Sequence, residues 1–406
     1  YNRYETEKLR LYIYIKEDNN MEKTAASVKE LLSSLVRIPS VNKFISGIND
    51  AEHDVAAYLD MFAKKSGLSS RFLEVPGSGN NLLITKEFSG KAPWIMFAAH
   101  MDTVSSDGME IDPFGAEERD GRIFGRGSCD DKGSIAAALW AMKETVSSPN
   151  NIALLLTIDE EQRRNGAGFF AEKQLQAIGF MPVGVIVAEP TSLKPVVAHA
   201  GIGHFSITVH GKAAHASDPS KGRSAIKDMV KVMEALEKNY INRLTATDPL
   251  CGKAQCSINM ISGGRQVNAV PDECTIRVDR RVMPGEDVKG IIPAVEKALE
   301  PLRKEDPSIK FSISPEFSDS PLSQDLNHPF ILHTLGCLKR SGLDAAPIGA
   351  QFATDAGALS GAGLACVVMG PGNVQLAHTA NESMGINELE EGVGIFKAIM
   401  AFEYKA

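Results

Sequence analysis

The feature that most constrains this chain is a set of short, uninterrupted apolar runs that end in acids or histidine. They are Trp94–His100, residues 151–158, residues 183–188 and residues 365–369. Runs of this length without alternation read as strands buried on both faces, which is the signature of a parallel sheet covered by helices. Helical spacing fills the intervals, over 24–37, 52–66, 134–146, 166–178 and 387–401, with a further strand over 81–85. Strand and helix alternate, so these parts predict an α/β domain.

The pattern changes near residue 200. Strand-like stretches at His204–Val209, Gln255–Ser262, Glu273–Arg281 and Lys310–Ser314 surround two amphipathic helices over 223–239 and 287–304. That predicts an α+β sandwich of ferredoxin-like type over 199–316, inserted into an α/β domain made of 21–198 and 317–406. Residues 1–20 read as an extension ahead of a start at Met21, because their apolar patch, Leu11–Ile15, is too short for a signal peptide.

Charge and cysteine content exclude several functions. Lys and Arg total 43 against 51 Asp and Glu, a net charge of −8, which disfavours a nucleic-acid grip. No run of about 18 apolar residues reads as a membrane span. The six cysteines are scattered without CxxC spacing, so neither a disulfide framework nor a zinc ribbon is expected, and a reducing compartment, the cytoplasm, is.

Candidate chemistry collects where the apolar strands end, the edge at which α/β sheets bind ligands. His100-Met-Asp102 places a histidine and an acid on one face of an extended segment. GRGSCDDKG over 125–133 sets Asp130 and Asp131 before a helix, where they could cap it or face a cation. Asp159, Glu160 and Glu161 follow the most apolar strand, Glu189-Pro190 follows another, and His378 lies in a Gly-rich loop. Two histidines with three or four carboxylates form a mixed nitrogen and oxygen donor set that suits zinc, and also cobalt or manganese. One shared carboxylate could hold two such ions about 3.5 Å apart.

These motifs (HxD, GRGxxDDKG, the Glu-Glu pair, the Glu-Pro step and the late Ala-His) resemble, in order and spacing, the acetylornithine deacetylase / succinyl-diaminopimelate desuccinylase / carboxypeptidase G group of dizinc amidohydrolases and the related di- and tripeptidases. The resemblance runs from about Met21 to the C-terminus. It implies a zinc-peptidase catalytic domain with an inserted dimerisation or lid domain. It also implies that Asp130 bridges two metals, with His100 and Glu189 completing one site and Glu161 and His378 the other. Glu160 would be the general base, Asp102 would orient His100, and the Asp130–Asp131 peptide would be cis.

In the insert, the segment 211–219 resembles the one whose histidine, here His215, reaches the partner subunit's active site and polarises the scissile carbonyl. Asn268, Arg281 (or its neighbour Arg280) and Thr354 match substrate-facing positions. The other histidines (His53, His199, His204, His210, His328 and His333) read as surface or structural, and Cys129 as a packed side chain. The resemblance thus implies a homodimer acting on a small N-acyl amino acid or short peptide. Residues 189–195 and 216–222 lean toward acetylornithine deacetylase, whereas Asp130-Asp131-Lys132 also occurs in the peptidase and carboxypeptidase branches. The competing reading is a binding or scaffold protein on a retired hydrolase fold, which metal analysis separates.

Overall fold

A computed structural model describes residues 25–404; the reading of residues 1–20 and Met21 lies outside them. The chain divides into two compact units. Among the described residues the first comprises 25–197, Gln324–Ile348 and 354–404, and the second Ala198–Ser323 and Gly349–Ala353.

In chain order the main elements begin with α1 (Val28–Val36), α2 (His53–Lys65), β1 (Ser69–Val75), β2 (Gly79–Lys86), β3 (Trp94–His100), α3 (Lys132–Glu144) and β4 (Asn151–Thr157). They continue with α4 (Asn165–Phe169), β5 (Pro182–Val187), β6 (Val196–His199), β7 (Gly201–His210), α5 (Ala225–Asn239), β8 (Gln255–Gly263) and β9 (Glu273–Val282). The last are α6 (Ile291–Glu305), β10 (Lys310–Asp319), α7 (Pro329–Arg340), β11 (Ile348–Ala350), β12 (Cys366–Val368) and α8 (Ile386–Ala401).

The eight-stranded sheet has the order β1-β2-β4-β3-β5-β12-β6-β11. Its centre, β4-β3-β5-β12, is parallel, with His100 opposite Thr157 and Val368 opposite Val187. The parallel sheet with helices is the α/β architecture that the apolar runs predict. All seven residues of β4 are buried, as a strand covered on both faces requires. α3 is buried along nearly its whole length, with Ala136, Ala137, Ala138 and Ala141 allowing close approach to its neighbours. Phe97 of β3 meets Phe396 of α8 edge to face, centroids 5.1 Å apart.

Three differences from expectation have local causes. β1 lies outside the expected strands, because an outer strand reading Ser-Ser-Arg-Phe-Leu-Glu-Val is largely exposed and lacks the apolar signal. The stretch 166–178 is helical but changes type, from α (Asn165–Phe169) to π (Phe170–Gln174) to 3-10 (Leu175–Ala177). Gly166 packs so tightly on β4's exit that a Cβ would sit 2.5 Å from the Ile158 carbonyl oxygen. The strand expected over 310–314 runs on to Asp319 through a register shift between Pro315 and Phe317.

The second unit is a four-stranded antiparallel sheet, β8-β9-β7-β10, with α5 and α6 supplying its helices. The chain order βαββαβ with this strand order is the ferredoxin-like arrangement. Its core is its own: Phe205, Ile207, Val209, Met229, Val232, Leu236, Ile276, Val278, Val295 and Leu299 form one apolar cluster.

Candidate metal centre

Because the four central strands are parallel, their C-terminal ends share one edge of the sheet. His100 is the last residue of β3; Glu160 and Glu161 follow β4; Glu189 lies two residues beyond β5; His378 follows β12. Asp130 arrives from the loop that precedes α3, and its peptide bond to Asp131 is cis, as the resemblance implies.

Asp130 faces two histidines. Its Oδ1 lies 2.9 Å from His100 Nε2 and its Oδ2 lies 3.2 Å from His378 Nε2. His378 Nε2 is also 3.2 Å from Glu161 Oε1. His100 Nδ1 is 3.0 Å from the backbone carbonyl of Asp102 and 3.5 Å from its carboxylate, so the carbonyl is the nearer partner. The Asp102 carboxylate instead accepts the backbone N–H groups of Glu160 and Glu161 at 3.0 and 3.1 Å, and the Asn42 amide at 2.8 Å. Asp102 therefore fixes the start of the Glu-Glu segment as well as touching His100. Glu160 Oε1 accepts from Arg164 Nε at 2.8 Å, four residues along in the turn that precedes α4.

The electrostatics follow from burying many acids together. Burial penalises the Asp130 carboxylate, but bonds to His100 and His378 override it and hold its pKa below the usual range. Burial and the Asp130 charge push Glu161 up to about 7 against the pull of His378. Glu189 is driven well up by burial, then by the charges of Asp130 and Glu160. His378 is raised to about 10 by its bonds to Asp130 and Glu161. Asp355, buried behind Thr157, is pushed to about 8 by burial and by Glu160. Buried carboxylates crowded to this degree lower their repulsion when a cation joins them.

The donor set fits a metal. Among the described residues, His100, Asp130 and Glu161 bring ligand atoms within 4.8 Å of one another. Imidazole nitrogen with carboxylate oxygen is zinc-type chemistry, and the second nitrogen of His100 is already oriented by the Asp102 carbonyl.

Among the other expected residues, His215 is exposed; its strand pairs with Ala269–Val270, and its Nδ1 lies 2.7 Å from Ser217 Oγ. Asn268 is its neighbour, since Ala216 N–H donates to the Asn268 carbonyl at 2.9 Å. Arg281 Nε donates to Asp279 at 2.9 Å, and Asp279 also meets His204 at 2.9 Å. Arg280 is buried and paired with Glu286 at 2.6 Å. Thr354 is buried and its hydroxyl accepts from Ala356 N–H at 3.1 Å. His199 is buried against the Ala200 carbonyl, and Cys129 is buried with its thiol pushed up by burial.

Sequence reasoning missed Asn42, which donates to both Asp102 and Asp159 at 2.8 and 2.9 Å, and Glu382, which is fully buried beside the Asp130 loop. Glu382 follows His378 by four residues, and that spacing from a candidate ligand was the available signal.

Relatives of similar sequence span most of the chain. It is 26% identical over 362 residues to an acetylornithine deacetylase from Buchnera aphidicola, covering 87% of this chain and 92% of that one. It is 26% identical over 410 residues to a probable succinyl-diaminopimelate desuccinylase from Staphylococcus epidermidis, covering 91% and 97%. Two solved structures share the fold. One is an M20 family metallo-carboxypeptidase from Sulfolobus solfataricus (TM-score 0.75, 17% identity, covering 94% and 99%). The other is aminopeptidase PepT from Bacillus cereus (TM-score 0.72, 22% identity, covering 92% and 98%). Residues 96–401 match Peptidase family M20/M25/M40, and with its histidines and acids at one sheet edge the chain belongs to this family of metal-dependent amide hydrolases.

Proposed function

We propose that this chain is a two-metal amidohydrolase that removes the acyl group from an N-acyl amino acid, as an acetylornithine deacetylase does. The observation that carries the reading is the Asp130 carboxylate, which presents one oxygen to each of two imidazoles beside Glu161. Zinc is the first choice of metal, on the mixed nitrogen and oxygen donors, with cobalt or manganese as substitutes.

Asp130 would be shared by both ions, with His100 and Glu189 at one and Glu161 and His378 at the other. The ions, when bound, polarise the amide carbonyl and bring the pKa of water toward about 7. The chain's residues do the rest. The Asp102 carbonyl holds the His100 ring so that Nε2 faces Asp130. Glu160, steadied by Arg164, takes the proton of the attacking water and returns it to the leaving amine nitrogen as the C–N bond breaks. His215 donates to the carbonyl oxygen from a second copy of the chain. Asn268, Arg281 and Thr354 contact the substrate; Arg281 is preferred over Arg280 because Arg280 is buried with Glu286. The homodimer reading is supported by the outer strand β8, which exposes Met260 and Ile261 at 57% and 59%. The scattered cysteines favour the cytoplasm.

A second reading is a di- or tripeptidase, or a glutamate-type carboxypeptidase. It is favoured by Asp130-Asp131-Lys132 and by the likeness in fold to an aminopeptidase and a carboxypeptidase. A hydrolysis panel of N-acetyl and N-succinyl amino acids, dipeptides and tripeptides, with added zinc or cobalt, decides. The highest kcat/KM on an N-acyl amino acid supports the proposal; preference for peptides selects the second reading. Inertness toward the whole panel, with less than about one metal per chain, supports a retired scaffold.

A further inference from the structure

We infer that Glu382 is a positioning residue that sets the bridging carboxylate of Asp130 and couples it to His378; this rests on the two-metal reading above. Glu382 is fully buried, and its carboxylate bonds to the Asp130 loop. One oxygen accepts the backbone N–H of Cys129 and of Asp130, both at 3.0 Å. The other pairs with Arg126 Nη1 at 2.6 Å, and Arg126 Nε in turn donates to the Ser105 carbonyl at 2.9 Å. The backbone joins in: Gly125 N–H donates to the Glu382 carbonyl at 3.0 Å, and Ser383–Gly385 pairs with Arg122–Phe124.

The consequence is geometric. Two consecutive N–H groups on one carboxylate oxygen fix the plane of the peptide that precedes the Asp130 Cα. They therefore hold the backbone from which the Asp130 side chain reaches His100 and His378. Glu382 is also four residues beyond His378 on the same segment, so one buried anchor registers the shared ligand against a histidine that reaches the chain far later. Neither Glu382 nor Arg126 donates a metal-facing atom; they act through Asp130. A carboxylate is needed rather than any acceptor, because the Arg126 guanidinium is itself buried and needs an anion.

The test is metal affinity measured on the full chain by competition with a chelator, alongside kcat, KM and thermal unfolding. Glu382→Ala is expected to weaken metal binding by about 10–100-fold, the range for partners that orient a ligand, and to lower kcat at fixed metal while KM changes by less than about twofold. Glu382→Gln, which retains an acceptor oxygen and the side-chain volume, is expected to restore part of that affinity. It also decides the matter if the alanine variant fails to fold. The inference is overturned if a folded Glu382→Ala, or Glu382→Gln where the alanine variant fails to fold, binds metal within about twofold of the parent while its unfolding midpoint falls, because a purely structural role predicts that result. Metal affinity does not depend on which amide is cleaved, so a wrong substrate assignment leaves this outcome readable.

Discussion

At the scale of single residues, protons compete for the proposed metal ligands. Bonds to Asp130 and Glu161 let His378 hold its proton up to about pH 10, whereas an unfolded histidine loses it near 6.5. A raised pKa stabilises the fold fully below about 6.5, and that contribution is lost as pH rises through about 10. Metal takes the neutral imidazole, so binding must expel this proton, and below about 7 the proton on Glu161 as well. Apparent metal affinity should therefore rise with pH from 7 to 9, with at least about one proton released per loading event. Competitive titration in buffers of different ionisation enthalpy checks this; an affinity flat across that range contradicts it. Of the proposed ligands, His100, Glu161 and Glu189 stand out in the sequence because a histidine or acid at the end of a buried apolar run comes to the sheet edge, where a charge needs a partner; Asp130 and His378 stand out by their Gly-rich segments. Asn42 and Glu382 do not, since a buried amide or carboxylate that serves another side chain looks in sequence like any polar loop residue.

At the scale of elements, the loop before α3 must pass close to its neighbours. Gly125 has φ +148°, and a Cβ there would lie 2.4 Å from Val36 Cγ1 and 2.9 Å from the Pro113 carbonyl oxygen. Gly125→Ala is expected to cost about 1–3 kcal/mol by overpacking and backbone strain and to weaken metal binding through Asp130. Denaturant melts and metal competition read the two effects; an unchanged midpoint contradicts the packing argument. Phe97→Ala, which empties the contact between β3 and α8, should cost about 3–5 kcal/mol, and a cost under about 1 kcal/mol would show that the site collapses freely. The central strands were readable from their unbroken apolar runs, and most helices from periodicity. The outer strand β1 and the short strands β6 and β11 were not, because pairing with a neighbour, rather than their own apolar pattern, makes them strands.

At the scale of the whole molecule, two units with separate cores predict separate responses to metal. Chelation should lower the unfolding transition of the unit that holds His100 and Asp130, by linkage, and leave that of the ferredoxin-like unit in place. Calorimetry with and without chelator tests this, and an equal shift of both transitions contradicts it. The two-unit organisation could be anticipated from the change of pattern near residue 200. The return of Gly349–Ala353 to the second unit could not, since five residues carry no periodicity. Among the described residues the buried acids outnumber the buried bases, and the carboxylates that matter share one sheet edge with two histidines. The proposed mechanism stands or falls on Glu160 moving protons for an amide hydrolysis whose metals are held by other residues. It is tested most directly by Glu160→Ala, assayed for bound metal and for turnover of the best substrate in the panel. The expected result is an unchanged metal content of two ions per chain and a fall in kcat of at least about 10²–10⁴-fold. Turnover near the parent's, with metal still bound, would contradict it.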